Sequence, residues 1–249
     1  MTTETGLKSK QGVRIRETIP LVAMKRAVAD HMVTSHQQVP SVSVFADIDV
    51  DALAALKAAR LDALSAETGT KITFTHIVTK AVAMTLRRFP LLNATIADGE
   101  IQVLDEINIG MAVALPDGNL VVPVIRNVDL LSVVALANEA NRLAQNAVAG
   151  KMALADVRGG TFTLSNVGSV PGTLWQTPLV NHPQCGILAL GRMRDAAVVR
   201  DGQLAVGKRM GASLSFDHRI ISGLPASEFM AVLSECLQSP ETLLEGGEA

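Results

Sequence analysis

Five histidines, His31, His36, His76, His182 and His218, are the side chains of this sequence that can trade a proton near neutral pH. His218 stands apart from the other four. It lies in Asp217-His218-Arg219-Ile220-Ile221-Ser222-Gly223, after the alternating run Arg209 to Phe216 and before a helical pattern from Ala226 to Leu237. A histidine where a strand gives way to a loop is well placed to act as a base. It can accept a proton from a thiol or hydroxyl and return it to a departing group. Ser165 closes a second alternating run, Thr161 to Ser165, 53 residues earlier. A Ser–His–Asp hydrolase would carry its nucleophile in a Gly-x-Ser-x-Gly elbow. The nearest stretch, Val167-Gly168-Ser169-Val170-Pro171, does not have that form. Glycine-rich phosphate loops of the P-loop or dinucleotide type are absent.

The elements that must hold these residues follow from hydrophobic period. Residues 1–16 are polar and aperiodic and are expected to form a flexible lead. Pro20 opens a helix carrying Leu21, Met24, Val28 and Met32, and Pro40 ends that region. Val42, Val44, Ala46, Ile48 and Val50 alternate as a half-buried strand. Asp49 or Asp51 can cap a helix with Leu53, Leu56 and Leu64 on one face, and Thr75 can cap another that Pro90 stops. Ile107–Leu115 and Leu120–Ile125 flank Pro116-Asp117-Gly118-Asn119, a hairpin turn. A helix from Ser132 to Ala149 ends at Gly150. Short strands are expected at Ile187–Leu190 and around the Asp201-Gly202 turn. The whole is read as one α/β domain with a mixed sheet.

Composition removes several function classes. The chain has 249 residues, 48% of them hydrophobic, enough for a sizeable aliphatic core. A net charge of −2 gives no general attraction to nucleic acid or an anionic membrane. Three per cent aromatic residues with no tyrosine argue against stacking platforms for single strands. Cys185 and Cys236 make neither a disulfide framework nor a metal site. With no long apolar span and no signal-peptide pattern, a cytoplasmic location is the default expectation.

Several segments, in order, resemble the catalytic domain of the acyltransferases of 2-oxo-acid dehydrogenase complexes. Ile19-Pro20-Leu21 with Met24 to Ala29 is similar to that domain's opening. Phe89 to Ala94 resembles its Pro-x-x-Asn-Ala segment, and Ile107 to Val113 with Val121 to Ile125 its central hairpin. Gly159 to Asn166 resembles its Gly-Gly-Thr-Phe-Thr strand, and Thr177 to Asn181 with Gln184 its Thr-Pro-Ile-Ile-Asn stretch. Asp217 to Gly223 is similar to its Asp-His-Arg-x-x-Asp-Gly signature, with Ser222 where the second carboxylate stands. The likeness covers residues 17–245, taken as the acyltransferase domain, with 246–249 as a tail.

The resemblance implies a chloramphenicol acetyltransferase-like fold, with flanking helices on a mixed sheet. It implies a homotrimer, or a larger assembly of trimers, with each site in a channel between neighbours. His218 is then the base, and the Ser165 hydroxyl donates to the oxyanion of the tetrahedral intermediate, a bond typically worth about 3 kcal/mol of barrier. Gly118 and Asn119 belong to a hairpin that helps line a coenzyme A channel. Arg126 is either a phosphate partner for coenzyme A or a solvated surface arginine. No metal is expected, and acetyl-CoA serves as co-substrate.

Ser222 leaves two readings, a weakened paralogue or an active enzyme with a different acceptor, and the second is preferred. No lipoyl domain, subunit-binding domain or Ala/Pro linker occurs in the sequence, so no lipoyl group is expected on this chain. The leading expectation is therefore a stand-alone O-acetyltransferase for a small-molecule alcohol, such as a hydroxymethyl-tetronate in polyketide biosynthesis. The alternatives are a dihydrolipoamide acyltransferase core and a non-catalytic scaffold. Neither nucleic acid nor membrane is expected as a partner.

Overall fold

The alternation that starts at Val42 does form a strand, β1 (Ser41–Asp49), entered from a helix, α1 (Ala23–Gln38), that ends ahead of Pro40. The computed structural model describes residues 8–116 and 118–244. Residues 1–7 of the expected lead, Asp117 of the expected turn, residue 245 and the tail 246–249 lie outside the described residues, as does the side chain of Met24. Residues 8–22 contain one isolated bridge, Lys8 with Arg14.

From Asp51 to Thr68 the chain is helical but does not keep one register. A π turn at Lys57–Leu61 separates α2 (Asp51–Leu56) from α3 (Asp62–Thr68), and Gly69 ends the run at φ 66°. The third helix, α4 (Phe74–Arg88), starts on a reciprocal cap. The Thr73 N–H donates to His76 Nδ1 at 3.2 Å, so a histidine takes the place of the usual Glu or Gln. Pro90 turns the chain into a short 3₁₀ segment, as its rigid φ predicts. The hairpin β2 (Ala94–Ala97) and β3 (Glu100–Val103) was not anticipated. Its signal was Asp98-Gly99, both at positive φ, which is two-residue turn chemistry.

The expected central hairpin divides in two. The strands β4 (Ile109–Met111) and β7 (Val124–Ile125) pair within the main sheet, while β5 (Val113–Ala114) and β6 (Leu120–Val121) pair separately at the tip. Pro123 has no N–H to continue the ladder. Its carbonyl accepts from Met111 at 2.8 Å, and the Ala112 N–H turns to Leu164 O at 3.0 Å. The next helix, α5 (Val133–Val148), is capped by Ser132, whose hydroxyl accepts from the Ala135 N–H at 3.2 Å.

The remaining strands are β8 (Phe162–Asn166), β9 (Gly186–Arg200) and β10 (Gln203–Asp217), followed by α6 (Gly223–Gln238). The separate short strands expected at Ile187–Leu190, Val198–Val199 and Leu204–Val206 are parts of two continuous 15-residue strands joined at Asp201-Gly202. The sheet is mixed, in the order β1-β10-β9-β8-β4-β7. The pairs β8–β9 and β8–β4 are parallel and the others antiparallel.

One face of this sheet carries the aliphatic core. Phe162, Leu164, Leu188, Leu190, Leu214 and Phe216 pack against Ile77, Val78, Phe229 and Leu233 of α4 and α6, all of them buried. The period-2 alternation then sends Thr163, Ser165, Ser213 and Ser215 to the other face. There residues 167–183 run across the strands as a strap. Val180 of the strap packs on Ile187 and Val39, and Ser213 and Ser215 are buried. Gly191 and Gly211 are required where the strap crosses, because a Cβ on either would overlap the Leu174 carbonyl. The Trp175 indole donates to Ala46 O at 3.3 Å and fixes the crossing. No described helix is long and apolar enough to cross a membrane.

Candidate active site

The base candidate is placed by backbone bonds on both sides of it. The Asp217 N–H donates to Cys185 O at 2.8 Å, and the His218 N–H donates to Pro40 O at 3.1 Å. The Asp217 carbonyl accepts from Ile220 and Ile221 at 3.1 and 3.2 Å, which curls the chain toward α6. His218 is exposed at the top of this turn, its ring stacked on Phe216 at 6.0 Å between centroids and 27° from parallel.

Asp217 does not orient the imidazole. Its carboxylate is buried and accepts from Arg219 three ways: the backbone N–H at 3.0 Å, Nε at 3.0 Å and Nη2 at 2.6 Å. That hydrogen bonding raises the Arg219 pKa above its usual value, against the opposing effect of burial. The Asp-His-Arg motif is therefore a turn clasp. The outer two residues hold each other and leave the middle one pointing outward. Among the described residues the His218 imidazole makes no side-chain hydrogen bond. Ser222 is the N-cap of α6, and its hydroxyl makes no capping bond.

Ser165 is half-buried near the end of β8, and it is not beside His218. Its register partner is Ala189 on β9, whose partner on β10 is Ser213. His218 lies two strands across and five residues further along. At ordinary strand spacing and rise that is on the order of 20 Å. One protomer therefore holds each of the two expected catalytic groups but not a site made of both.

The binding candidates also separate. Gly118 and Asn119 line a cleft of about 750 Å³ between α1 and the β5–β6 tip, with Val28, Met32, Leu120 and Val122 as its apolar walls. Lys25 adds a cation to the lining, and His31 and Asn181, hydrogen-bonded at 2.8 Å, face it too. Sequence reasoning missed Lys25 and His31. They are ordinary helix residues until the fold sets α1 opposite a hairpin some 90 residues later, and nothing local announces that. Arg126 lines a different hollow, with Glu139 and Arg142. Its Nη2 donates to Ala155 O and Arg158 O at 3.2 and 3.0 Å, so the guanidinium is engaged with backbone away from Gly118 and Asn119.

Residues 14–245 match the family described as 2-oxoacid dehydrogenases acyltransferase (catalytic domain). The dihydrolipoyllysine-residue acetyltransferase component of the pyruvate dehydrogenase complex of Staphylococcus aureus is 39% identical over 233 residues, 93% of this chain and 53% of that protein. Its counterpart in Bacillus subtilis is 37% identical, over 89% of this chain and 50% of that protein. The chain thus spans about half the length of the curated relatives it matches. Among solved structures, the Azotobacter vinelandii dihydrolipoamide acetyltransferase superposes with a TM-score of 0.87 at 34% identity, over 94% of this chain and 96% of that one. In that protein a serine, a histidine and an asparagine four residues after the histidine were investigated for their role in catalysis. Chloramphenicol acetyltransferase superposes at 0.51 with 17% identity over 91% of this chain and 99% of that one, a likeness of fold alone.

Proposed function

This chain belongs to the 2-oxoacid dehydrogenase acyltransferase family, as a catalytic domain, and from that premise we propose that it moves an acetyl group between coenzyme A and a dihydrolipoyl thiol. In this reading His218 takes the proton of the attacking thiol and returns it to the departing thiolate. Ser165 donates its hydroxyl hydrogen to the carbonyl oxygen as that oxygen gains negative charge. The S–C bond to the incoming thiol forms and the S–C bond to the leaving thiol breaks, so the step consumes no further reagent.

The observation that carries the proposal is the separation of Ser165 from His218 within one chain. It calls for a site built between protomers, with the serine from one and the histidine from the next. A homotrimer closes three such sites by one rotation. A solved relative, the cubic core of a pyruvate dehydrogenase multienzyme complex, superposes with a TM-score of 0.87 at 34% identity. The cleft beside Gly118, Asn119 and Lys25 has the apolar walls and the basic group suited to a pantetheine arm and its phosphates. Arg126 is left out of that assignment.

The comparisons favour this reading over the alcohol acetyltransferase expected from Ser222, and nothing in them supports a polyketide role. That expectation took a carboxylate as the family's requirement at position 222. The Azotobacter protein has an uncharged asparagine at the same spacing from its histidine, so a missing charge does not signal a new acceptor. The test is acetyl transfer from acetyl-CoA, followed by mass spectrometry, to dihydrolipoamide and to a set of small alcohols including hydroxymethyl-tetronates. Transfer to the thiol is expected. Transfer confined to alcohols would restore the earlier expectation.

A further inference from the structure

Asn166 follows Ser165 directly and points to the opposite face of β8. Both ends of its amide are used. Nδ2 donates to Thr75 Oγ1 at 3.0 Å, which ties the strand end to the first turn of α4. Oδ1 accepts from the Gly168 N–H at 2.8 Å, which sets the angle at which the strap leaves the strand. That exit is tight. A Cβ on Gly168 would lie 2.8 Å from Gly191 O and 3.0 Å from Asn166 Oδ1. Val167 is held in turn by its N–H to Leu190 O at 3.1 Å. The last residue with a register partner in β8 is Asn166 itself, opposite Leu190. Ser165 therefore sits one residue from a strand end whose direction is set by this amide together with the Val167–Leu190 backbone bond.

We infer that Asn166 is a positioning residue for the acyl-transfer step: by clasping Thr75 and Gly168 it sets the twist at the end of β8 and so aims the Ser165 hydroxyl at the reacting carbonyl oxygen. The inference rests on the reading of Ser165 given above. Its physical basis is that a hydrogen-bond donor preorganised for a developing charge loses its value when it is misplaced by even about 1 Å. Asn166 never touches the substrate. Its whole effect passes through the serine, so the two residues must be energetically coupled.

A double-mutant cycle reads that coupling. The rates compared are acetyl transfer to dihydrolipoamide by the wild type, Asn166→Ala, Ser165→Ala and the double variant. Asn166→Ala is expected to lower kcat about 10-fold with little change in KM for acetyl-CoA. On the Ser165→Ala background the same change is expected to cost less than about 2-fold. Thr75→Val breaks one of the two amide bonds without altering β8, and serves if Asn166→Ala does not fold. It should show a smaller loss with the same dependence on Ser165. Equal losses on both backgrounds, or no loss from either substitution, would overturn the inference. Full kcat in Ser165→Ala alone is a separate result that removes Ser165 from the reaction and the inference with it.

Discussion

Ser165 and His218 are separated within one chain by two strands and five residues of register, on the order of 20 Å. In the proposed reaction, neither could reach the other's substrate atoms within one chain, so the pair would be complete only between protomers.

That arrangement predicts complementation. Ser165→Ala and His218→Ala should each be nearly inactive alone. When the two are co-expressed and assembled at random, about a quarter of the interfaces combine a native serine with a native histidine. Activity near that fraction of wild type is expected in the mixed preparation. No recovery, in a sample shown by native mass spectrometry to contain hybrids, would place both groups in one chain.

His218→Ala alone should lower kcat by about 100-fold or more, the usual scale for a general base. The thermal midpoint should barely move, because the ring is exposed and the turn is held by backbone bonds and by Asp217–Arg219. A parallel loss of stability would mean that the imidazole holds the turn as well.

Arg219→Met should act in the opposite way, on stability first. It leaves the buried Asp217 carboxylate with only the Arg219 backbone N–H, and because the lost guanidinium is itself partly exposed the cost is expected to be about 1–2 kcal/mol. Denaturant unfolding of the two proteins measures this. An unchanged midpoint would show that water takes over the role of the guanidinium.

Burial lowers the pKa of His76 from 6.5 to about 4. The unfolded chain therefore binds a proton that the folded chain refuses, and stability falls as pH drops from about 6.5 toward 4. Protonation at Nδ1 would also cost the bond from the Thr73 N–H. Thermal midpoints across that range should drop for the wild type and drop less for His76→Gln, which can keep the cap without titrating. Identical slopes would exclude His76 as the source.

Burial likewise pushes the Cys185 thiol up to about 12, leaving almost no thiolate at pH 8. Iodoacetamide at that pH should label Cys236, which is half-buried, well before Cys185. Peptide mapping showing Cys185 labelled first in folded protein would contradict the burial.

The elements with a strong period were legible in the sequence. The alternation of β1, the helix between Ser132 and Gly150, and the strand-to-helix passage around His218 stand where residue pattern places them. What the sequence hid is continuity and distance. The single strand β9 reads as two, because Arg192, Arg194 and Asp195 interrupt the apolar pattern, and they do so where the outer half of the strand is exposed on both faces. The π turn after Leu56 leaves no mark in propensity. At the site, the residue types were legible and the geometry was not. Asp217 was visible as part of the Asp-His-Arg motif, but that it bonds Arg219 and leaves His218 free of it shows only in the structure. Arg126 reads as either a phosphate partner or a surface arginine, and the sequence could not show that its guanidinium lies on the carbonyls of residues 155 and 158. Asn166 was visible as part of a motif, but its bond to Thr75, 91 residues away, was not.

The pairing of β1 with β10 has a consequence for the timing of synthesis. Asp49 pairs with Arg209 and Ser41 with Asp217, so every rung of that ladder joins residues 160 to 176 positions apart. At translation rates of about 5 to 20 residues per second the first strand made waits roughly ten to thirty seconds for its partner to leave the ribosome. Through that interval Val42, Val44 and Phe45 present a bare strand edge, the sort of surface that chaperones bind and aggregates recruit. The bond from the His218 N–H to Pro40 O belongs to the same closing event. A nascent chain that has not yet released β10 would thus lack both the strand that pairs with β1 and the residue whose N–H bonds Pro40 O.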